Sequence, residues 1–577
     1  MDTVLLRFYQ NVKRYAHSTC FKTKRDGKWR SISWEEAFLY VRGISRDLIE
    51  RGIKKGDYVG IIAPPSPEWA LTDLAILSVG AITVPIHTTS GPSDVLYILR
   101  HSAPKCLFFS HEFAWILDGT AKDVQLGSAC EIRSAALPGL GMDNISEQEW
   151  LRLVEGITLD DVATCIYTSG TTGEPKGALI THLSISSEVD GLREAFGVGH
   201  GDVGYAFLPL SHVMGRIIHF YHMSYGCEMA YASSPKVILE EMREIMPHFT
   251  VVVPRVLEKV YDGWKEKIKV SNRFSRWIIE KAERVGARVL ERERFGVERP
   301  HPLDTPLRYL TTFLAFFRLR KLFGGRLKFI ICGGAPLAKE MVRFFHIAGL
   351  PVFEGYGLTE TMSAVTINRP GAIKFGSVGK PICGAEIKLA EDGEVMVRGP
   401  QLFIGYKPPC ALRDGLEDGW FRTGDIGELS RDGFLMIVGR KKELVVTSTG
   451  RNISPLKVEE VLRSSEYIKD AIVVGDGKPY LSALILLDMG RVTDFAIKNG
   501  IRFEKTSDLI NDGRIYELIK SEIDAKNRYV ARHEAVRRFK IIDRDFWKED
   551  GYLTPTMKLR RWKVYETYKG LIESLYE

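Results

Sequence analysis

Along the first half of the chain, apolar residues recur at helical spacing over Trp34–Gly52 and then run together with β-branched neighbours over Tyr58–Ala63. The exchange repeats: Pro67–Val79 has the helical spacing, while Ala81–Pro85 and Lys105–Ser110 are apolar runs of strand length. Strands alternating with helices in this way predict α/β layers around a parallel sheet. The longest apolar stretch, Trp69–Ile86, carries Thr72, Asp73 and Ser78 and then Pro85. A membrane span needs about 20 nearly uninterrupted apolar residues, so this stretch reads as a core helix running into a strand. From about Asp392 the pattern shifts to short strands and turns, Gly393–Gly399 and Gly433–Gly439. Beyond Lys442 a separate α+β pattern begins, with strands at Ala471–Val474 and Ser482–Leu487. Two domains are expected, 1–439 and 440–577, joined at about 439–443.

Composition narrows the class. The 577 residues are 45% hydrophobic and 27% charged, which suits a globular chain of more than one domain with a large core. A net charge of +7 on 80 basic and 73 acidic residues is too balanced to argue for a nucleic-acid partner. It suits an enzyme with anionic ligands. The start, Met1–Arg7, lacks the apolar region of a signal peptide. Eight cysteines without a C-x-x-C pair indicate neither a zinc site nor a disulfide framework. The expected compartment is the reducing cytoplasm.

The most informative segment is Tyr167-Thr168-Ser169-Gly170-Thr171-Thr172-Gly173-Glu174-Pro175-Lys176-Gly177-Ala178, between the apolar run Val162–Tyr167 and the strand-like Ala178–Thr181. Its hydroxyls, its one lysine and glycines that can turn backbone N–H groups inward are what a polyphosphate needs. A Ser/Thr/Gly-rich surface turn would have the same composition. A Walker A loop is disfavoured, because Pro175 stands five residues after Gly170 and Lys176 is followed by Gly177.

This segment resembles the phosphate loop of the adenylate-forming superfamily, which includes acyl-CoA synthetases, luciferases and nonribosomal peptide adenylation domains. Further motifs follow in the superfamily's order. Leu208-Pro209-Leu210-Ser211-His212 is similar to the motif whose histidine lies beside the acyl carboxylate. Gly333-Gly334-Ala335-Pro336 looks like the adenine-side turn. Glu354-Gly355-Tyr356-Gly357-Leu358-Thr359-Glu360 resembles the motif that supplies an aromatic wall for adenine (Tyr356), an α-phosphate contact (Thr359) and a Mg²⁺ ligand (Glu360). Asp418–Asp425 resembles the stretch whose last aspartate takes the ribose hydroxyls; Gly439–Leu444 resembles the hinge, with Arg440 facing ribose and Lys442 at the pivot. Gly551–Arg561 looks like the motif carrying the catalytic lysine, here Lys558. Two positions depart from the pattern: Gly439, where long-chain synthetases usually have Asp, and Ser184, where Asn commonly follows the loop.

The resemblance implies an α/β fold class: a large N-terminal domain with layered α/β sheets and a small β-barrel-like part, plus a small mobile α+β C-terminal domain. It implies an AMP-forming acid–thiol ligase with Mg²⁺ as cofactor and ATP, a fatty acid and coenzyme A as partners. The residues it assigns to catalysis are Lys558, Thr168, Glu360 and His212. Those it assigns to ATP or AMP are Thr168, Ser169, Gly170, Thr171, Thr172, Gly173, Lys176, Gly334, Ala335, Glu354, Gly355, Tyr356, Gly357, Thr359, Asp425 and Arg440. Gly450 and Arg451 would lie on the CoA side.

The Leu553-Thr554-Pro555-Thr556-Met557-Lys558 spelling, the segment Val253–Tyr261 and the insertion Trp264–Phe323 resemble long-chain acyl-CoA synthetases in particular. Within the insertion Thr305 and Pro306 suit a helix start, and Leu310, Phe313, Leu314 and Phe317 recur at helical spacing among Arg308, Arg318, Arg320 and Lys321. Two readings stand: an amphipathic helix on the core, or an interfacial helix, Leu307–Phe323, that collects fatty acid from the inner face of a membrane. Other open alternatives are an acyl-AMP ligase loading a carrier protein, a medium-chain or aryl acid CoA ligase, and a silent lipid-binding relative. Oligomeric state is open too, a homodimer included.

Overall fold

Capping residues fix where the first helices begin. Ser33 and Glu36 exchange bonds across a capping box at the start of Trp34–Glu50, with Glu36 N to Ser33 Oγ at 3.2 Å and Ser33 N to Glu36 Oε2 at 2.7 Å. Ser66 caps Pro67–Ser78, where Pro67 takes the first-turn position whose missing N–H costs nothing. Every residue of Pro67–Ser78 is buried, so the polar Thr72, Asp73 and Ser78 lie inside a core helix. The computed structural model describes the chain except residues 118–125, 133–143, 169–174, 296–314, 383, 409–414, 449–450, 544–551 and 553–558. Among the described residues no helix is long and apolar enough to cross a membrane.

The chain divides into two compact units. The larger comprises Met1–Lys388, Met396–Arg422 and Ser430–Met436; the smaller comprises Leu389–Val395, Thr423–Leu429 and Ile437–Glu577. Two sheets organise the larger unit. A seven-stranded sheet runs, edge to edge, through Gly405–Tyr406, Lys176–Thr181, Val162–Thr168, Ile82–Pro85, Tyr58–Ile62, Cys106–Phe109 and Ser128–Glu131. Its middle is parallel, as the helix–strand alternation predicts, and it becomes antiparallel where Val162–Thr168 turns back on Lys176–Thr181. A nine-stranded sheet is parallel from Phe21 to Glu354 and antiparallel where Val352–Leu358 meets Ser363–Ile367. The change of direction in both sheets falls on segments that carry predicted site residues.

In the smaller unit Leu481–Leu487 lies between Ile468–Val474 and Val536–Ile542, antiparallel to the first and parallel to the second. All of Leu481–Leu487 is buried, which fits its unbroken apolar spelling, since a strand covered on both faces has no polar side. Helices Pro455–Arg463, Met489–Lys498 and Gly513–Lys526 supply the covering apolar residues, among them Val458, Leu462, Val492, Ile515 and Ile519.

In the insertion, residues 315–322 are helical, with Phe316, Leu319 and Phe323 in the core and Phe317 47% exposed. Thr305, Pro306, Leu310, Phe313 and Leu314 lie outside the described residues. The helix Arg273–Phe295 precedes them and exposes Phe274 and Trp277.

Candidate active site

The phosphate-loop segment is flanked by two paired antiparallel strands. Val162–Thr168 and Lys176–Thr181 pair from Val162↔Thr181 to Thr168↔Lys176, which holds Thr168 and Lys176 side by side at the mouth of the loop. Ser169, Gly170, Thr171, Thr172 and Gly173 lie outside the described residues. The base of the hairpin is tightly built. A Cβ on Gly177 would meet Cys165 Sγ at 2.6 Å and the Tyr167 ring at 3.1 Å, so glycine must follow the lysine. The Tyr167 hydroxyl lies 2.7 Å from His101 Nδ1, and burial pushes its phenol well above the usual value, so it stays protonated. Ser184, one of the two departures, is buried: its N–H donates to Thr181 Oγ1 at 3.1 Å and its hydroxyl to the Leu402 carbonyl at 2.8 Å.

Glu360 comes to the same place from the other sheet. It sits in the single turn Thr359–Thr361 that ends the strand Val352–Leu358, which also carries Glu354, Gly355, Tyr356 and Gly357. Thr361 Oγ1 accepts from Leu358 N at 2.8 Å and closes the turn. Two successive non-glycine residues then take positive φ, Met362 at 49° and Ser363 at 109°. Such backbone costs of order 1–3 kcal/mol per residue and persists where the surroundings over-determine it. The return strand packs tightly here: a Cβ on Gly357 would lie 1.4 Å from the Ser363 carbonyl oxygen, where the pairing of the two strands shifts register.

One residue joins the two halves, and no motif named it. Tyr406, on the edge strand Gly405–Tyr406, pairs with Ala178 in the hairpin. Its hydroxyl donates to Glu360 Oε1 at 2.7 Å, and Lys176 Nζ lies 5.1 Å from the centre of its ring. Lys176, Tyr406 and Glu360 therefore form one contiguous group. A Gly-Tyr pair carries no local signal of this, because its position depends on a strand pairing across more than two hundred residues.

Among the described residues no group of three or more His, Cys, Asp or Glu side chains could hold a metal unaided. Glu360 alone suits Mg²⁺, which usually takes one or two carboxylates and completes its octahedron with water and phosphate oxygens. A zinc or calcium cage would need more protein ligands.

His212 is the N-cap of the helix Val213–Tyr225, where its Nδ1 accepts from Met214 N at 3.3 Å. With Nδ1 accepting, the proton of the neutral ring sits on Nε2. Gly215 in the first turn is obligatory, since a Cβ would lie 2.2 Å from the Pro209 carbonyl oxygen. Met214 from this helix reaches the adenine-side turn, with its Sδ 3.2 Å from the position of a Cβ on Gly334. Gly334, at φ 83°, and Ala335 are exposed after the strand Phe329–Cys332.

The smaller unit brings together the two residues expected at ribose. Arg440 Nε lies 3.1 Å from Asp425 Oδ1, with the aspartate buried and the arginine side chain 39% exposed. Asp425 N donates to Thr423 Oγ1 at 3.1 Å, and Thr423 in turn donates to the Val395 carbonyl at 2.8 Å. Lys441 is held by Asp392 at 2.6 Å and Glu394 at 2.9 Å, whereas Lys442 is exposed in a one-turn helix, Lys441–Glu443. Gly439, the second departure, has a local reason: a Cβ there would lie 2.7 Å from Ser454 Oγ, which donates to the Val438 carbonyl at 2.6 Å. Arg451 is exposed at the start of the return strand of a small hairpin; Gly450 and Lys558 lie outside the described residues.

Residues 8–407 match the AMP-binding enzyme family, and residues 442–577 match the AMP-binding enzyme C-terminal domain. The long-chain-fatty-acid–CoA ligase FadD15 of Mycobacterium bovis is 34% identical over 596 aligned residues, covering 100% of this chain and 97% of its own. Among solved structures, ATP-bound MatB from Rhodopseudomonas palustris has a TM-score of 0.71 at 20% identity, covering 99% of this chain and 100% of that one. The o-succinylbenzoate coenzyme A synthetase of Bacillus subtilis, in complex with ATP and a magnesium ion, has a TM-score of 0.68 at 21% identity, covering 96% and 98%. At those identities the structural likeness is one of fold. The family matches span both parts of the chain, and with them this protein belongs to the AMP-binding enzymes of the adenylate-forming superfamily.

Proposed function

We propose that this chain is an AMP-forming ligase that converts a long-chain fatty acid, ATP and coenzyme A to acyl-CoA, AMP and diphosphate through an acyl-adenylate. The observation that carries the reading is the convergence of Lys176 at the phosphate-loop hairpin with Glu360 beyond the adenine-side strand, joined through Tyr406. A carboxylate resists thiol attack because its leaving group would be oxide. Its oxygen instead attacks the α-phosphorus of ATP; the bond to the bridging oxygen breaks, diphosphate leaves, and a mixed anhydride remains. Thiolate sulfur then attacks the acyl carbon, AMP leaves, and the thiol proton goes to solvent. The carboxylate is already ionised, so the first step needs no base.

That first transition state gathers charge on phosphoryl oxygens, so positioning and electrostatic stabilisation do most of the catalysis. Lys176, Thr168 and the loop residues Ser169–Gly173 take the phosphates; Thr359 meets the α-phosphate; Gly334, Ala335 and Glu354–Gly357 line the adenine, with Tyr356 as its wall. Asp425 accepts from the ribose hydroxyls beside Arg440. His212, with its proton on Nε2, orients the acyl carboxylate. Glu360 would hold Mg²⁺, which would supply charge neutralisation there. Lys558 serves adenylation, and Gly450 and Arg451 serve thioester formation. The 440–577 domain turns about Lys442 between the two steps.

Each CH₂ buried in an acyl tunnel contributes about 0.8 kcal/mol, so long and short acids should differ by orders of magnitude. The test is kcat/KM across straight-chain acids of graded length. A steep rise toward long chains is expected, and equal values for acetate and palmitate would sink the long-chain assignment.

A second reading concerns the source of the acid. Val270, Phe274 and Trp277 are 87%, 67% and 52% exposed, spaced four and three residues apart. Exposed Lys267, Lys269, Arg273, Arg276 and Lys281 surround them. Exposed aromatics among cations suit an anionic lipid surface, and with the exposed Phe317 they make the insertion the peripheral membrane contact. Replacing Phe274 and Trp277 by Glu should abolish co-sedimentation with anionic vesicles; unchanged binding would discard this contact.

A further inference from the structure

We propose that Tyr406 is the positioning residue for the magnesium-binding carboxylate, and that its hydroxyl, rather than its ring, sets how tightly the site takes Mg²⁺ with ATP. The inference rests on the reading of Glu360 as the metal ligand and goes beyond it, since it concerns what aims that ligand.

A single glutamate at the end of a strained turn has two ways to be misplaced: its backbone can shift, and its side chain can rotate. One short segment restrains both. Phe403 N donates to the Glu360 carbonyl at 2.8 Å, fixing the backbone, and the Tyr406 hydroxyl donates to Glu360 Oε1 at 2.7 Å, fixing the carboxylate. Among the described residues no donor engages Oε2, so the tyrosine distinguishes the two oxygens, occupying one and leaving the other for a cation. The donor is itself immobile. Tyr406 is buried, its ring stands edge-on to Phe403 with centroids 4.9 Å apart, and its backbone pairs with Ala178.

The same ring faces Lys176, with Nζ 5.1 Å from its centre. An ammonium over an aromatic face is attracted by the ring quadrupole, and that attraction needs the ring but not the hydroxyl. Tyr406 thus carries two separable tasks: the hydroxyl aims the carboxylate that meets the metal, and the ring aims the lysine that meets phosphate. A tyrosine serving only as packing would do neither, and phenylalanine would replace it without loss.

The separation dictates the experiment. The full-length protein is titrated calorimetrically with ATP in Mg²⁺ and, separately, in EDTA, and the ratio of the two dissociation constants is the readout. Outer hydrogen-bond partners of metal ligands typically contribute 10–100-fold in metal affinity. Tyr406→Phe should therefore reduce the Mg²⁺-dependent gain in ATP affinity about tenfold or more, leave metal-free ATP binding as in wild type, and keep the melting temperature. Tyr406→Leu should lose the same gain and weaken metal-free ATP as well, because Lys176 has lost its ring. Glu360→Gln should abolish the gain, and adding Tyr406→Phe to it should cost nothing further, the signature of two groups acting through one contact. A wild-type ratio in Tyr406→Phe overturns the proposal. If Glu360→Gln abolishes the gain in that case, only the role of the tyrosine is wrong; if Glu360→Gln also keeps the wild-type ratio, the metal-ligand reading falls with it.

Discussion

The two units place charge differently. The larger puts it in the dry core: Asp73, Arg216, His182, His219 and His222 are all buried, with Arg216 over Trp69 and Phe220 and His222 against Trp34. Arg216 Nη2 lies 2.6 Å from Asp73 Oδ1, which also accepts from the Thr83 hydroxyl at 2.7 Å. On one side of its sheet the smaller unit has a mainly aliphatic core, and its buried Glu459 pairs with the part-buried Arg561. Its Asp425–Arg440 pair, which the proposed function puts at ribose, reaches the surface through a half-exposed arginine. Two arginine–aspartate pairs of similar length thus have opposite meanings. Where both partners are dry, the pair is expected to hold the fold; where one is wet, it is open to a ligand, the ribose in the proposed function.

Deleting one partner from each pair should break that symmetry most visibly. Asp73→Ala strands a buried guanidinium, and breaking a buried pair in this way typically costs about 3–5 kcal/mol. A large fall in melting temperature is expected, with the protein that remains folded still binding ATP; an unchanged melting temperature would show that water reaches Arg216.

The same buried groups should make the larger unit sensitive to acid. Burial lowers His182 and His87 to about 4 and His222 to about 3, and holds His219 well below the ordinary histidine value. In the unfolded chain all four would titrate near 6.5. Between that value and about 4 the unfolded state binds more protons, so stability is present above the window and falls as pH drops through it. Burial raises the Asp73 and Glu188 carboxyls, which take up protons in the folded state first and oppose the trend. Four imidazoles against two carboxyls leave a net loss of stability as pH falls from 6.5 toward 5. Denaturation followed at both pH values would show it; flat stability across the window would mean that these histidines are not buried neutral. The only histidine of the smaller unit is His533, so no such loss is expected of it.

Asp425→Asn should act on the ligand and not on the fold. A hydrogen bond to a charged group contributes about 1.5–3 kcal/mol, so ATP affinity should fall on the order of ten- to a hundredfold with little change in melting temperature. A destabilised protein of normal ATP affinity would reverse the distinction drawn above.

Much of this was legible in the sequence because its causes are local. Periodicity and capping residues delimit Trp34–Glu50 and Pro67–Ser78, and unbroken apolar spelling marks Leu481–Leu487. The phosphate loop, the turn before Glu360 and the hinge are contiguous spellings. What was not legible depends on partners distant in the chain. Asp73 reads as a polar interruption in an apolar helix until Arg216 is found beside it. Tyr406 is one aromatic among many until its strand pairs with Ala178. The positive φ of Met362 and Ser363 has no spelling at all, since neither is glycine or asparagine; it is imposed by the packing of Gly357 against the returning strand.

In the proposed function one chain performs two successive chemistries, adenylation and thioester formation. Quenched single-turnover reactions with palmitate and α-³²P-labelled ATP test it most directly. Without CoA, wild type should form acyl-AMP and diphosphate in amounts stoichiometric with enzyme, and added CoA should convert the label to AMP with appearance of palmitoyl-CoA. Lys558→Ala should lose about 10²–10³ in the first step, as typically follows loss of one pre-organised donor, and still turn supplied palmitoyl-AMP and CoA into thioester at near wild-type rate. Release of ADP in place of AMP, or equal impairment of both steps by Lys558→Ala, would contradict the account.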